Sequence, residues 1–283
     1  MRIISVSGNH GPFRKLQNTP FIANNSFMKT FVLGDIHGAS RALDQCMERS
    51  GFDFENDRLI QLGDVVDGFS DVHDCVETLL HIKHLVALKG NHDDWFLEFI
   101  RTGYHPTSWN YSGRETALSY LKLTGRERFI KRGREGYKTA LDSKDIPQSH
   151  QHFFEGQKLY YIDGENNCYV HAGFNRFLSF ALQRPETFYW DRELWLAALD
   201  YQNMKLQNPA IGPFINFCEC NEIYIGHTPT VNWGTDKPMQ AVNIFNIDTG
   251  ARQGGRLTIM DVRTKEYWQS DLVEELYGVM AGI

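Results

Sequence analysis

The feature that most constrains this chain is a repeated strand ending. Three apolar runs, "KTFVLGD", "DRLIQLGD" and "HLVALKGNHD", each stop at a glycine and pass at once into carboxylate, amide or imidazole. Gly34 leads into Asp35 and His37, Gly63 into Asp64 and Asp67, and Gly90 into Asn91, His92 and Asp93. "SRALDQCMERSG" and "DVHDCVETLLHIK" separate the runs, "DDWFLEFIRTG" follows the third, and all three segments read as helices. Strand, turn and helix three times over predict βαβ units with parallel strands. In such sheets ligands bind beyond the carboxyl ends of the strands. The turn residues therefore converge on one rim. Two later runs, "YVHAG" and "YIGHT", end in the same way at His171 and His227.

Five strands thus deliver Asp35, His37, Asp64, Asn91, His171 and His227 to that rim. These are oxygen and nitrogen donors with no thiolate, a set that suits Mn²⁺, Fe²⁺ or Zn²⁺. Six ligands exceed what one ion with open positions can use. They suit two ions sharing a bridging carboxylate, an arrangement that serves in-line displacement at phosphorus.

After about residue 148 the apolar runs resume as "NCYVHAG", "NEIYIGHT", "VNIFNIDTG" and "RLTIMDV", with the helical "DRELWLAAL" between the first two. Their closer spacing predicts a second, mixed sheet packed on the first. Between the two groups lies a basic, partly helical segment, 101–148. Its stretch from Arg101 to Lys138 holds nine Lys/Arg against three Asp/Glu, net +6, which leaves the remainder at −12 against an overall −6. Such a segment is expected either to cap the rim and favour an anionic substrate larger than one phosphate, or to be a solvated lid or a partner surface. Residues 1–27 carry no convincing element after "IISV" and read as a poorly ordered extension or tag ahead of a single domain, 28–283. A second "GNH" at Gly8–His10 falls in that extension and reads as coincidence.

Composition excludes several classes. With 283 residues, 42% of them hydrophobic and 23% charged, the chain is globular and long enough to bury a large core. No apolar run approaches the roughly 18 residues needed to span a bilayer, and no signal peptide is evident, so a cytoplasmic protein with no membrane partner is expected. A net charge of −6 gives no nucleic-acid signal, and that class of partner is not favoured. The five cysteines form no C-x-x-C pair and read as free thiols in a reducing compartment. Oligomeric state is not indicated.

"GDIHG" (34–38), "GDVVDG" (63–68), "GNHD" (90–93), "HAG" (171–173) and "GHT" (226–228) resemble, in order, the signature of the calcineurin-like metallophosphoesterases, in particular the bacterial and phage Ser/Thr phosphoprotein phosphatases. The resemblance spans Met28 to Val262 and implies an α/β fold, a four-layer α/β/β/α sandwich of two mixed sheets flanked by helices. It implies two divalent ions, Mn²⁺ first and Fe or Zn as alternatives. Asp35 and His37 would hold one ion, Asp64 would bridge, and Asn91, His171 and His227 would complete the other. His92 would be the general acid, with Asp67 orienting it and raising its pKa. Asp248 of "IDTG" would hold a ligand histidine. The activity implied is hydrolysis of phosphate monoesters by metal-activated water, on a phosphoprotein or a small ester. Diadenosine-polyphosphate hydrolase and nucleic-acid or nucleotide phosphatase are alternatives within the superfamily. A catalytically inactive interaction module is the alternative of another class, and the complete ligand set argues against it.

One departure stands out. The family places Arg after the second Asp of GDxVDRG, where this chain has Gly68 and then Phe69. That Arg grips phosphate. Arg192 of "YWDREL" and Lys89 are the replacement cations expected here, with Arg114 a further candidate. Trp95, Phe96 and Phe99 read as core, and Trp109 and Tyr111 as possible groove residues. Asp93 and Asp94 read as first-turn carboxylates. His73, His81, His84, His105, His150 and His152 lie outside the motifs and read as surface or core.

Overall fold

The structure is a computed structural model that describes residues 28–133 and 136–278. The expected extension, with its "GNH", lies outside the described residues. The N-terminal half alternates as predicted: β1 (Thr30–Leu33), α1 (Ser40–Ser50), β2 (Arg58–Gln61), α2 (Val72–Leu80), β3 (His84–Ala87) and α3 (Asn91–Thr102). Strands β1, β2 and β3 pair in parallel, with Val32 opposite Ile60 and Ile60 opposite Val86. The basic segment contributes α4 (Arg114–Leu123) and an antiparallel hairpin of β4 (Ile130–Gly133) and β5 (Gly136–Thr139), followed by α5 (Gln148–Gly156).

Strands β6 (Tyr160–Ile162) and β7 (Cys168–Val170) open the second sheet. Helices α6 (Thr187–Trp190) and α7 (Glu193–Gln207) separate them from β8 (Ile223–Ile225), β9 (Met239–Ala241) and β10 (Ile244–Asn246). The chain closes with β11 (Thr258–Asp261), β12 (Tyr267–Gln269) and α8 (Val273–Tyr277). Two five-stranded mixed sheets result, ordered β12-β11-β1-β2-β3 and β6-β7-β8-β10-β9. The run "RLTIMDV", expected in the second sheet, instead joins the first as β11, antiparallel to β1 with Val32 opposite Met260. Pairing between strands so far apart in sequence leaves no trace in hydrophobic periodicity.

Three apolar layers hold the sandwich together. Because side chains alternate along a strand, Phe31 and Leu33 of β1 point to a core shared with α1, α2 and α3. Val32 points the other way, into a layer with Ile60, Tyr169, Tyr224 and Met260 between the sheets. A third cluster joins Val170, Ile223 and Ile225 to Leu194, Trp195 and Ala198 of α7. Helix, sheet, sheet and helix are thus the four layers anticipated. Among the described residues no helix is long and apolar enough to cross a membrane.

The expectation of five free thiols is corrected. Glu219 takes a left-handed φ of 51°, which folds the short C-x-C turn back on itself. Cys218 and Cys220 come to a Cα separation of 5.2 Å, within disulfide reach, and are bonded. Cys46, Cys75 and Cys168 are free and buried.

Candidate active site

Every motif residue sits just beyond the carboxyl end of a strand: Asp35 and His37 after β1, Asp64 and Asp67 after β2, Asn91 and His92 after β3, His171 after β7, His227 after β8 and Asp248 after β10. Several turns that carry them are unusual. His37, Asp64, Asp67 and His227 all have left-handed backbones, with φ of 51°, 54°, 66° and 65°. Non-glycine residues visit this region rarely and at a cost, and here three of them, His37, Asp64 and His227, line one cleft while Asp67 is buried against His92. Glycines let the backbones close in. A Cβ on Gly90 would overlap Asp64 Oδ1, and one on Gly226 would overlap Asp35 Oδ1.

Asp64 lies at the centre. Its Oδ2 is 3.7 Å from His37 Nε2 and 3.6 Å from His171 Nε2. Two groups of ligand atoms each fall within 4.8 Å, His37–Asp64–His92 and Asp64–His171–His227, with Asp64 common to both. Asn91 Oδ1 stands 3.3 Å from His171 Nε2. Backbone carbonyls aim the imidazoles: Val66 O lies 3.1 Å from His37 Nδ1, and Leu62 O lies 2.8 Å from His171 Nδ1. Asp35 Oδ1 and His227 Nε2 are buried yet lack a hydrogen-bond partner. Buried polar atoms are ordinarily satisfied, so these two fit the role of donors to a cation. Burial, with Asp248 and Asp64 nearby, pushes the Asp35 carboxyl well above its usual range. Burial likewise holds the His37 imidazole down at about 3, and thus neutral. Crowded carboxylates and neutral imidazoles on one rim are the donor set that divalent cations satisfy.

Beside this cluster His92 and Asp67 form a tight pair, Nδ1 to Oδ2 2.6 Å. Asp67 is fully buried. Its Oδ1 accepts hydrogen bonds from Trp109 Nε1 at 2.9 Å and from Thr116 Oγ1 at 2.6 Å. Burial lowers the His92 pKa, but Asp64 and Asp67 outweigh it and the net direction is upward. Trp109, expected near a groove, is instead fully buried as the indole that fixes Asp67. Asp93 likewise does more than sit in a first turn. Its Oδ1 accepts from Val65 N–H at 2.9 Å, and its Oδ2 from Gly90 N–H at 3.1 Å and Gln157 Nε2 at 2.8 Å. It ties the loop after β2 to the start of α3.

Asp35, His37, Asp64, Asn91, His92 and His227 line a cleft of about 460 Å³ together with Trp95, Trp190, Arg192, Asp248, Arg252 and Gln253, whereas His171 and Asp67 are not among its lining residues. Arg192 reaches Thr228 Oγ1 at 3.0 Å and the His227 carbonyl at 3.2 Å. Lys89 does not reach the cleft, because its Nζ pairs with Asp94 at 3.1 Å. Arg114 is turned onto Glu115. Asp248 lines the cleft, but its Oδ1 accepts from Gly250 N–H at 3.0 Å and it holds no histidine. The basic stretch 101–138 contributes no described residue to the cleft lining and supports it only from behind, through Trp109 and Thr116. Trp95, read as core, forms a wall: its ring centroid is 4.9 Å from that of His92 and 5.5 Å from that of Trp190.

Arg252 escaped sequence reasoning. Its Nη1 lies 3.0 Å from His92 Nε2, across 160 residues of chain. The signal available was the missing Arg at Gly68, which called for a cation from elsewhere.

A two-sheet sandwich presenting Asp, His and Asn donors on one rim defines a protein with a candidate divalent-metal site. The comparisons specify it. Residues 28–230 match the calcineurin-like phosphoesterases, and the chain belongs to that family. It is a hydrolase acting on phosphoric esters. It is 25% identical over 242 residues to serine/threonine-protein phosphatase 1 of Salmonella typhimurium, covering 86% of this chain and 95% of that one. Its fold resembles a metallophosphoesterase from Sphaerobacter thermophilus, with TM-score 0.51, 16% identity and coverage of 90% and 95%. It also resembles a protein provisionally assigned as a diadenosine tetraphosphatase, with TM-score 0.56, 16% identity and coverage of 87% and 94%.

Proposed function

We propose that this chain is a dinuclear metallophosphomonoesterase of the Ser/Thr phosphoprotein phosphatase type, using Mn²⁺. The observation that carries the reading is the position of Asp64 Oδ2, 3.7 and 3.6 Å from imidazole nitrogens of two different ligand groups. Asp35, His37 and Asp64 would hold one ion, and Asp64, Asn91, His171 and His227 the other. Bound ions of this kind supply a nucleophile at neutral pH and offset charge on phosphoryl oxygens.

The remaining work falls to the chain's own groups. His92 carries the proton for the leaving oxygen at Nε2, while Asp67 fixes Nδ1–H and favours imidazolium. Arg192 and Arg252 form the phosphate clamp. Both guanidiniums border the cleft, and planar forks suit a phosphate dianion. Arg252 Nη1 lies 3.0 Å from His92 Nε2, which puts the guanidinium within reach of the phosphate whose leaving oxygen His92 would protonate. Trp95 and Trp190 flank the entrance and contact the group beyond the phosphate.

The test is a Mn²⁺-supported assay on phosphoserine and phosphothreonine peptides, phosphotyrosine peptides, dinucleoside polyphosphates, nucleotides and end-phosphorylated oligonucleotides. Preference for phosphoserine or phosphothreonine is expected. Preference for another member corrects the substrate, and inactivity on all of them with metal bound supports the inactive-module reading.

A further inference from the structure

Outside the cleft, the described residues hold two groups of potential ligand atoms: Cys168, Cys218 and Cys220, of which the last two are bonded to each other, and His73, Glu77 and His150, which are arranged as metal ligands are. His73 and Glu77 are four residues apart on α2 and so share a helix face. His150 of α5 packs against them, its ring centroid 4.8 Å from that of His73 at an interplanar angle of 31°. Glu77 Oε1 lies 2.8 Å from His150 Nε2 and 3.8 Å from His73 Nε2. Tetrahedral zinc with bonds of about 2.0–2.1 Å separates its ligand atoms by roughly 3.3 Å. The two observed distances bracket that spacing.

The other ring nitrogens strengthen the case. His73 Nδ1 faces Asp74 Oδ1 at 3.2 Å, and His150 Nδ1 faces Tyr120 OH at 2.9 Å. Metal-bound histidines characteristically commit their second nitrogen to a carboxylate or other oxygen, which fixes the ring and the tautomer. Here both histidines do so, and both leave Nε2 directed at one carboxylate. His150 is fully buried, the His73 side chain is 20% exposed and the Glu77 side chain 43% exposed. A cation would therefore enter from the Glu77 side and keep water as its fourth ligand.

We infer that His73, Glu77 and His150 form a zinc site, separate from the active site, that clamps α2 to α5. Two imidazoles, one carboxylate and no thiolate suit Zn²⁺ better than the hard cations Mg²⁺ or Ca²⁺. None of the three residues lines the catalytic cleft, so the site stabilises the scaffold without entering the reaction.

The test is elemental analysis of full-length protein dialysed against micromolar ZnCl₂ in excess Mn²⁺, with thermal midpoints measured in parallel. His150 is buried and its replacement risks misfolding, so the partly exposed positions are changed, His73→Gln and Glu77→Gln. Wild type should retain one zinc more than either variant, and zinc should raise the midpoint of wild type more than that of either variant. Phosphoesterase activity with Mn²⁺ should be unchanged in both variants. Equal zinc content in wild type and both variants would overturn the inference.

Discussion

Gly68 lies against Arg252, one of the residues that line the cleft. A Cβ on Gly68, whose φ is 100°, would stand 3.4 Å from Arg252 Cγ and 3.0 Å from His37 Cβ. Loss of a side chain at position 68 thus makes room for the arginine that borders His92. Arg252→Gln should lower kcat/KM about 10–100-fold, since charge-assisted hydrogen bonds contribute about 1.5–3 kcal/mol. Arg252→Lys should recover part of that loss, and inorganic phosphate should inhibit Arg252→Gln more weakly than wild type. Gly68→Arg should not improve the enzyme. It forces a side chain into a left-handed position against His37 and Arg252, and steady-state kinetics with a thermal melt should show both activity and midpoint falling.

A general acid matters most when the leaving group is poor. His92→Asn should reduce kcat about 10²–10⁴-fold on phosphoserine and far less on p-nitrophenyl phosphate, whose leaving group needs no proton. Equal losses on both esters would remove His92 from that role. Trp109→Phe deletes the indole donor to the fully buried Asp67. It should cost about 1–3 kcal/mol of stability, measurable by urea denaturation, and lower kcat on phosphoserine.

The glycine cradles predict a contrast. Gly90→Ala and Gly226→Ala place a methyl group on Asp64 Oδ1 and Asp35 Oδ1, and each should lose bound Mn²⁺ after dialysis. Gly156→Ala, where a Cβ meets nothing within 4 Å, should keep it. Metal retention by Gly90→Ala would mean that Asp64 does not need its present position.

His105 supplies a pH dependence away from the metal ligands. It stacks on Trp109 with ring centroids 4.7 Å apart, and burial lowers its pKa from 6.5. Folded His105 therefore stays neutral at pH values where the unfolded chain takes up a proton. Its contribution to stability is complete above pH 6.5 and is lost as pH falls towards the depressed folded value. His105→Phe removes this titration. In metal-free protein the midpoint of wild type should fall relative to that of His105→Phe between pH 7.5 and about 5. A constant difference would contradict the assignment.

Much of this architecture was legible in local sequence. "GDIHG", "GDVVDG" and "GNHD" announced both parallel strands and the polar rim, because period, turn and chemistry coincide within ten residues. What local sequence hid depended on distant contacts. Strand β11 pairs with β1 across most of the chain. Trp95 has the helical spacing of Phe96 and Phe99, but its place on α3 turns it to the cleft. Lys89 stood beside a motif and was captured by Asp94, whereas Arg252 lay outside the short motifs and reached His92. The basic stretch suggested a rim, but among the described residues its link to the site runs through buried Trp109 and Thr116, which donate to Asp67. His73 and His150 looked bland singly, and only the packing of α5 on α2 brings them together.

The central claim is that two ions bridged by Asp64 make this chain a phosphomonoesterase. The most direct measurement is Mn²⁺ content against phosphoserine-peptide hydrolysis for chelator-stripped protein, wild type and Asp64→Asn. Wild type should take up two Mn²⁺ per chain and regain activity in step with them, while Asp64→Asn should bind fewer and remain inactive. Full activity in stripped wild type, or in Asp64→Asn, would contradict the account.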